Sequence, residues 1–249
     1  MHAKLKKKYG QNFLIDKNIL NKIYNLIIHN NLNILEIGPG SGNLTEYILK
    51  SKPLNLTTIE IDSDLIEDLK VRFINEPRIK ILEGDILKNN DLLQNNFDLV
   101  ISNLPYNISS QILIDLTISS FRPKKMILMF QKEFAQKLLE VKLNALNSVI
   151  RCFYQFKKKF EISKNSYYPI PKINSAIVEF SKLDKPLIPE DEINRFIEFK
   201  RKIFNKKRKT IGSILKNNHK KVFNPSIYKK RAENLTLEEF IDFFFKTNI

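Results

Sequence analysis

Asn103-Leu104-Pro105-Tyr106 brings an amide side chain, a main-chain carbonyl, a ring-locked turn and an aromatic face together in four consecutive residues. Pro105 stiffens the turn and has no N–H of its own, which leaves the Asn103 side-chain oxygen and the Leu104 carbonyl as two neighbouring acceptors. Two acceptors answer a specific difficulty. An exocyclic amine on an aromatic base has its lone pair drawn into the ring and is a poor nucleophile. Holding both of its N–H groups favours a pyramidal nitrogen whose lone pair points toward an electrophilic carbon such as a methyl group. Tyr106 offers a face on which an extruded base can stack. A strong base is not needed, since the proton becomes acidic as the nitrogen gains positive charge, and the remaining demand is in-line alignment. A lone Pro-Tyr is more often a turn with a buried tyrosine. The position of this one, after the predicted strand Phe97–Ser102, favours chemistry.

A second constellation lies upstream. Gly38-Pro39-Gly40-Ser41-Gly42 follows the predicted strand Asn33–Ile37, and glycines let the backbone pass close to a ligand. Dinucleotide-binding enzymes use a related loop, but their fingerprint puts a third glycine at position 43, which here is Asn43. Glu60 falls at the end of the second predicted strand, Leu56–Ile61, where a carboxylate can accept both hydroxyls of a ribose. Asp85 follows the third, Ile79–Leu82, and can accept an adenine amine. Either acid alone is as readily a helix cap. The loop, Glu60 and Asp85, in this order at successive strand ends, describe a site for a nucleoside-bearing cofactor.

These residues need a frame that gathers strand ends. Strands alternate with helices at Leu44–Lys50 and Ser63–Phe73, the second capped by Asp62 or Ser63. With a further strand at Met126–Phe130, the pattern predicts a doubly wound, mostly parallel α/β sheet, whose ligands sit beyond the carboxyl ends of its strands. Tyr168-Pro169-Ile170-Pro171 interrupts the alternation, Ser175–Phe180 reads as a last strand, and 182–190 as a linker. Residues 193–249 read as helical, with a break at Pro225-Ser226. The expected organisation is an α/β domain over 1–183, with a basic N-terminal tail, and a helical domain over 184–249.

Across 249 residues, Lys+Arg 42 against Asp+Glu 27 gives a net charge of +15, which calls for a polyanionic partner. No apolar run is long enough to span a bilayer and none follows Met1–Lys8 as a secretion signal, so nucleic acid is expected rather than membrane, in the cytoplasm. Cys152 is the single cysteine, and His2, His29 and His219 are scattered; no metal site is expected. Positive charge is densest in Lys4–Lys8 and Lys200–Lys221. Lys207, Arg208 and Lys209 are expected on RNA phosphates, with salt-dependent affinity. Phe240, Phe243, Phe244 and Phe245 are expected mainly as helical core.

Read as a whole, the chain resembles the ribosomal RNA adenine dimethylase family, and most of all its small-subunit branch. The resemblance is carried by Tyr9-Gly10-Gln11-Asn12-Phe13-Leu14, Glu36-Ile37-Gly38-Pro39-Gly40, Ile59-Glu60-Ile61-Asp62, Asn103-Leu104-Pro105-Tyr106-Asn107-Ile108-Ser109, Gln131-Lys132-Glu133, Pro171-Lys172-Ile173-Asn174-Ser175-Ala176, Lys207-Arg208-Lys209-Thr210-Ile211 and Arg231-Ala232-Glu233-Asn234-Leu235. It implies a Rossmann-like class I methyltransferase domain with a small C-terminal helical, RNA-binding domain. It implies S-adenosyl-L-methionine as methyl donor, held by Asn12, Leu14, Gly38, Glu60, Asp85 and Asn103, with Gln11–Leu14 folded over it. Tyr167 would lie near the target base, beside Tyr106. The implied reaction places two methyl groups on each of two adjacent adenosines in a hairpin loop near the 3′ end of 16S (small-subunit) rRNA, within a partly assembled 30S subunit, by a monomer. The large-subunit, antibiotic-resistance branch is the first alternative; Asn107 and Arg231–Leu235 favour the small-subunit branch. A non-catalytic nucleic-acid-binding factor on the same fold is the second, disfavoured by the intact Asn103–Tyr106 and Glu60. The family pattern is broken at Glu140–Ser148, which is short, and at Asn174, where aspartate is common.

Overall fold

The apolar strands of the N-terminal two-thirds pair into one seven-stranded sheet in the computed structural model, which describes residues 6, 10–27, 30–89, 91–206, 208–215 and 225–247. In chain order the strands are β1 (Phe13–Leu14), β2 (Asn33–Ile37), β3 (Asn55–Glu60), β4 (Ile79–Glu83), β5 (Leu99–Asn103), β6 (Lys125–Gln131), β7 (Tyr154–Ile162), β8 (Tyr167–Tyr168) and β9 (Ser175–Lys182). The helices are α1 (Lys17–Tyr24), α2 (Asn43–Lys50), α3 (Ser63–Arg72), α4 (Ser109–Ile118), α5 (Lys132–Leu139), α6 (Asn147–Ile150), α7 (Ile193–Phe204), α8 (Ile211–Leu215), α9 (Pro225–Lys229) and α10 (Leu237–Lys246). The sheet runs β4-β3-β2-β5-β6-β9-β7, and β1 and β8 form a separate antiparallel pair. β4 to β6 in that order are parallel, and β9 enters antiparallel to β6, with Gln131 opposite Ser175. This is the expected α/β, doubly wound, Rossmann-like sheet.

Burial explains why the inner strands are almost continuously apolar. Ile34, Leu35, Val100, Ile101 and Met126–Phe130 are shut off from solvent, as strands covered on both faces require. Each such side chain contributes about 1.5–3 kcal/mol on burial. The edge strand β7 is different. Lys157, Lys158 and Lys159 interrupt its alternation, which is why periodicity gave no signal for it, and charge on an edge also discourages pairing with another chain. Lys157 and Lys159 pair with Glu179 of β9, which Lys125 also reaches at 2.9 Å.

The chain divides into two compact units, residues 1–136 with 156–182, and 137–155 with 183–249. The sequence suggests a single boundary after residue 183; the second unit also takes in 137–155. Within that unit the short 140–148 segment is closed by its own asparagines. Asn147 Nδ2 donates to the Glu140 and Lys142 carbonyls, and Asn144 Oδ1 accepts from Leu146 and Asn147. Phe196, Phe199, Phe240, Phe243 and Phe244 are fully buried and make the unit's core, with Phe199–Phe243 centroids 5.1 Å apart, while Phe245 is about half exposed. Thr236 and Glu239 form a capping box at the start of α10. Pro225 opens α9 rather than merely breaking a helix, the position where its missing N–H costs nothing. Among the described residues no helix is long and apolar enough to cross a membrane.

Candidate active site at the strand ends

The strand order reverses at β2, with β3 on one side and β5 on the other, and the crevice beyond these carboxyl ends is where such sheets bind ligands. Gly38, Gly40 and Gly42 all take positive φ (66°, 58° and 80°), a backbone region that side chains disfavour. A Cβ at Gly38 would meet no atom within 4 Å, so the loop there faces open space; at Gly40 it would strike the Phe13 ring at 2.8 Å. Glu60, at the tip of β3, is buried and holds the loop in place. Its Oε2 accepts from Gly40 N at 3.1 Å, and Oε1 from Ile61 N and Asp62 N at 2.9 and 3.1 Å. Burial raises the Glu60 pKa, opposed by these three N–H groups. On β2, Glu36 is wholly buried. Thr45 Oγ1 donates to its Oε2 at 2.7 Å, and its Oε1 has no hydrogen-bond partner among the described residues. Burial pushes this carboxyl up to about 8, against the Thr45 bond and with some help from Glu60.

Asp85 does act as a cap: its Oδ1 accepts from Leu87 N at 3.0 Å, opening the turn Ile86–Lys88. Helix α3 is capped by Asp62, whose Oδ1 accepts from Asp64 N.

Asn103 ends β5, and its Nδ2 donates to the Asn12 carbonyl at 2.8 Å. That bond assigns the amide's two ends and leaves Oδ1 as the acceptor next to the Leu104 carbonyl. The turn beyond is closed by Ile108 N on the Pro105 carbonyl at 3.2 Å. Gly10, Gln11, Asn12 and Phe13 roof a cavity of about 60 Å³, whose other walls are Glu60, Ile61 and Asn103–Tyr106. Gly38, Asp85, Leu14 and Tyr167 are not among the cavity's lining residues.

The roof is latched. Buried Asp62 accepts from Lys6 Nζ at 2.5 Å and Gln11 Nε2 at 2.7 Å, and Lys6 also reaches Asp64 at 2.7 Å. Burial alone would raise the Asp62 pKa, but Lys6 and Gln11 outweigh it and hold it below the usual range. Asn43 Nδ2 donates to the Leu14 carbonyl at 3.0 Å, and Leu14 pairs with Tyr167 across β1 and β8. Sequence reasoning missed this latch: Asp62 was legible as a cap, and Lys6 only as one of a basic run.

Tyr106 is half-buried, with its Oη 2.7 Å from Ser175 Oγ. Tyr167 is 1% exposed, so as folded it offers no open face to a base. Arg208 and Lys209 are exposed beyond the end of α7, in the second unit, and Lys207 lies outside the described residues, as do Lys4, Leu5, Lys7 and Lys8. Among the described residues, no three His, Cys, Asp or Glu gather as a metal site would require.

Comparison with known proteins gives a consistent picture. The family described as ribosomal RNA adenine dimethylase matches residues 2–245. "Ribosomal RNA small subunit methyltransferase A" of Mycoplasma capricolum is 38% identical, with 97% of each chain covered. The protein of the same name from Pelagibacter ubique is 40% identical over 83% of each chain. Among solved structures, a dimethyladenosine transferase from Plasmodium falciparum superposes with a TM-score of 0.79 at 28% identity, covering 92% of this chain and 95% of that one. The 23S rRNA methyltransferase ErmE shares the fold, with a TM-score of 0.72 at 20% identity over 95% of this chain and all of its own.

Proposed function

This chain belongs to the ribosomal RNA adenine dimethylase family, and we propose that it dimethylates N6 of two adjacent adenosines in a hairpin loop near the 3′ end of 16S (small-subunit) rRNA. The substrate is a partly assembled 30S subunit in the cytoplasm, the enzyme acts as a monomer, and S-adenosyl-L-methionine is the donor. The observation that carries the chemistry is the Asn103 amide, whose Nδ2 is taken by the Asn12 carbonyl, in a cavity that Leu104, Pro105 and Tyr106 also line.

The residues at the strand ends fit an adenosyl donor. Open space at Gly38 admits a ligand against the backbone, Glu60 can share its carboxylate with ribose hydroxyls, and Asp85 can accept an adenine amine. Asn12 and Leu14 close over it. When bound, the donor supplies an electrophilic methyl on a sulfonium. The chain's own part is positional. Asn103 Oδ1 and the Leu104 carbonyl each accept one N–H of the target amine and so direct its lone pair out of the ring plane. Tyr106 supports the extruded base, and Pro105 keeps the two acceptors at fixed spacing. Arg208, Lys209 and Lys207 meet RNA phosphates, which adds affinity without reading sequence.

The test is mass spectrometry of 16S rRNA after incubation of undermethylated 30S subunits with the protein and labelled donor. Label is expected on two adjacent adenosines, two methyl groups on each. Asn103→Ala should lower kcat by about 10²–10³, as loss of one preorganised transition-state contact does, with RNA binding retained. Absence of label from 16S rRNA, with label on large-subunit rRNA incubated in parallel, would overturn the substrate, and undiminished methylation by Asn103→Ala would overturn the mechanism.

A further inference from the structure

The far end of the Tyr106 ring has its own anchor. Ser175 is the first residue of β9 and is completely buried, opposite Gln131 of β6 and so held by the sheet. Its hydroxyl lies 2.7 Å from Tyr106 Oη, across 69 residues of sequence. A ring on a turn is free to tilt about its side-chain torsions, whereas a ring tied at Cβ and at its hydroxyl keeps one plane. The Tyr167 hydroxyl is also buried, with no hydrogen-bond partner among the described residues. A serine hydroxyl both donates and accepts, so Ser175 can serve one phenol while remaining open to the other.

We propose that Ser175 is a positioning residue for methyl transfer: its hydroxyl fixes the plane of the Tyr106 ring against which the target base stacks. The proposal rests on the reading of Tyr106 as the base-stacking residue. Ser175 is placed by the sheet rather than by the turn, so it transmits the rigidity of β9 to a side chain on a loop. The plane of the base decides where the amine lone pair points. The effect therefore belongs to the chemical step more than to RNA binding, most of which comes from phosphate contacts.

The experiment uses the full chain with undermethylated 30S subunits, measuring kcat and KM for the subunit and the dissociation constant for the donor. Ser175→Ala should lower kcat roughly five- to tenfold, the worth of one neutral hydrogen bond, while KM and donor affinity change less than about twofold. Tyr106→Phe removes the same bond from the other side, without opening a space in the sheet. It should lower kcat by a similar factor, and the double variant should be no slower than the slower single one. With 2-aminopurine at the target position of an rRNA hairpin, wild-type protein should quench the fluorescence by stacking, and both variants should quench less. An unchanged kcat in Ser175→Ala, or losses that multiply in the double variant, would overturn the role of Ser175. Failure of the wild-type protein itself to methylate 16S rRNA would instead overturn the proposed function.

Discussion

Glu36→Gln should make the protein's stability less sensitive to alkali. The Glu36 carboxyl is fully buried, and burial raises it from an ordinary 4.5 to about 8. Between those values the folded chain holds a proton that the unfolded chain has released. Stability in the wild type is therefore fully present below about pH 4.5 and falls as pH rises toward 8. The two values differ by 8 − 4.5, and each pH unit between them is worth about 1.4 kcal/mol, so the whole effect is about 5 kcal/mol. About 3 kcal/mol of it falls between pH 5.5 and 8.5. Glutamine keeps an acceptor for Thr45 and cannot ionise. For a chain of this size, 1 kcal/mol moves Tm by about 2–4 °C. The Tm of the variant minus that of the wild type, measured by circular dichroism melts, should thus grow by roughly 6–12 °C from pH 5.5 to 8.5. Taking the difference cancels the titrating groups that do not interact with Glu36, leaving Glu60 as its one named electrostatic neighbour. Two curves that stay parallel across this range would refute the claim that Glu36 is folded in its neutral form.

Two further outcomes follow from the site. Asp62→Asn keeps the cap on α3 but removes the charge that Lys6 and Gln11 grip, so the donor's dissociation constant should rise about tenfold by calorimetry, in line with a lost charge-assisted bond. An unchanged constant would show that the latch does not bear on donor binding. Arg208→Ala and Lys209→Ala should each reduce the slope of log affinity for rRNA against log salt by about one, leaving donor affinity unmoved; a salt slope equal to wild type would remove both from the RNA surface.

Local chemistry made much of the sheet legible. β2, β3, β4 and β5 end within a residue or so of where the glycine loop, Glu60, Asp85 and Asn103 suggest, because apolar runs and the polar residues that end them act over short range. β7 was hidden because Lys157–Lys159 carry an edge strand's charges where alternation would carry apolar side chains. The membership of 137–155 in the second unit is set by packing against residues far along the chain, which no local pattern encodes. Asp62 shows a subtler limit. Its cap was readable from its position before a helix, but a carboxylate has several lone pairs, and the partners taken by the others, Lys6 and Gln11, lie more than fifty residues away.

The bond between Asn103 and Asn12 ties those two scales together. An asparagine amide presents nearly the same shape when turned end for end, yet one orientation offers the target amine an acceptor and the other a competing donor. Nothing on β5 itself distinguishes the two. The Asn12 carbonyl does, since it accepts only from Nδ2. A neutral hydrogen bond of about 1 kcal/mol biases such a choice by about five to one. The segment that carries this carbonyl is itself held, by Asp62 through Gln11 and by Asn43 through the Leu14 carbonyl. On the proposed mechanism the acceptor is therefore set by a main-chain carbonyl 91 residues before the side chain it orients.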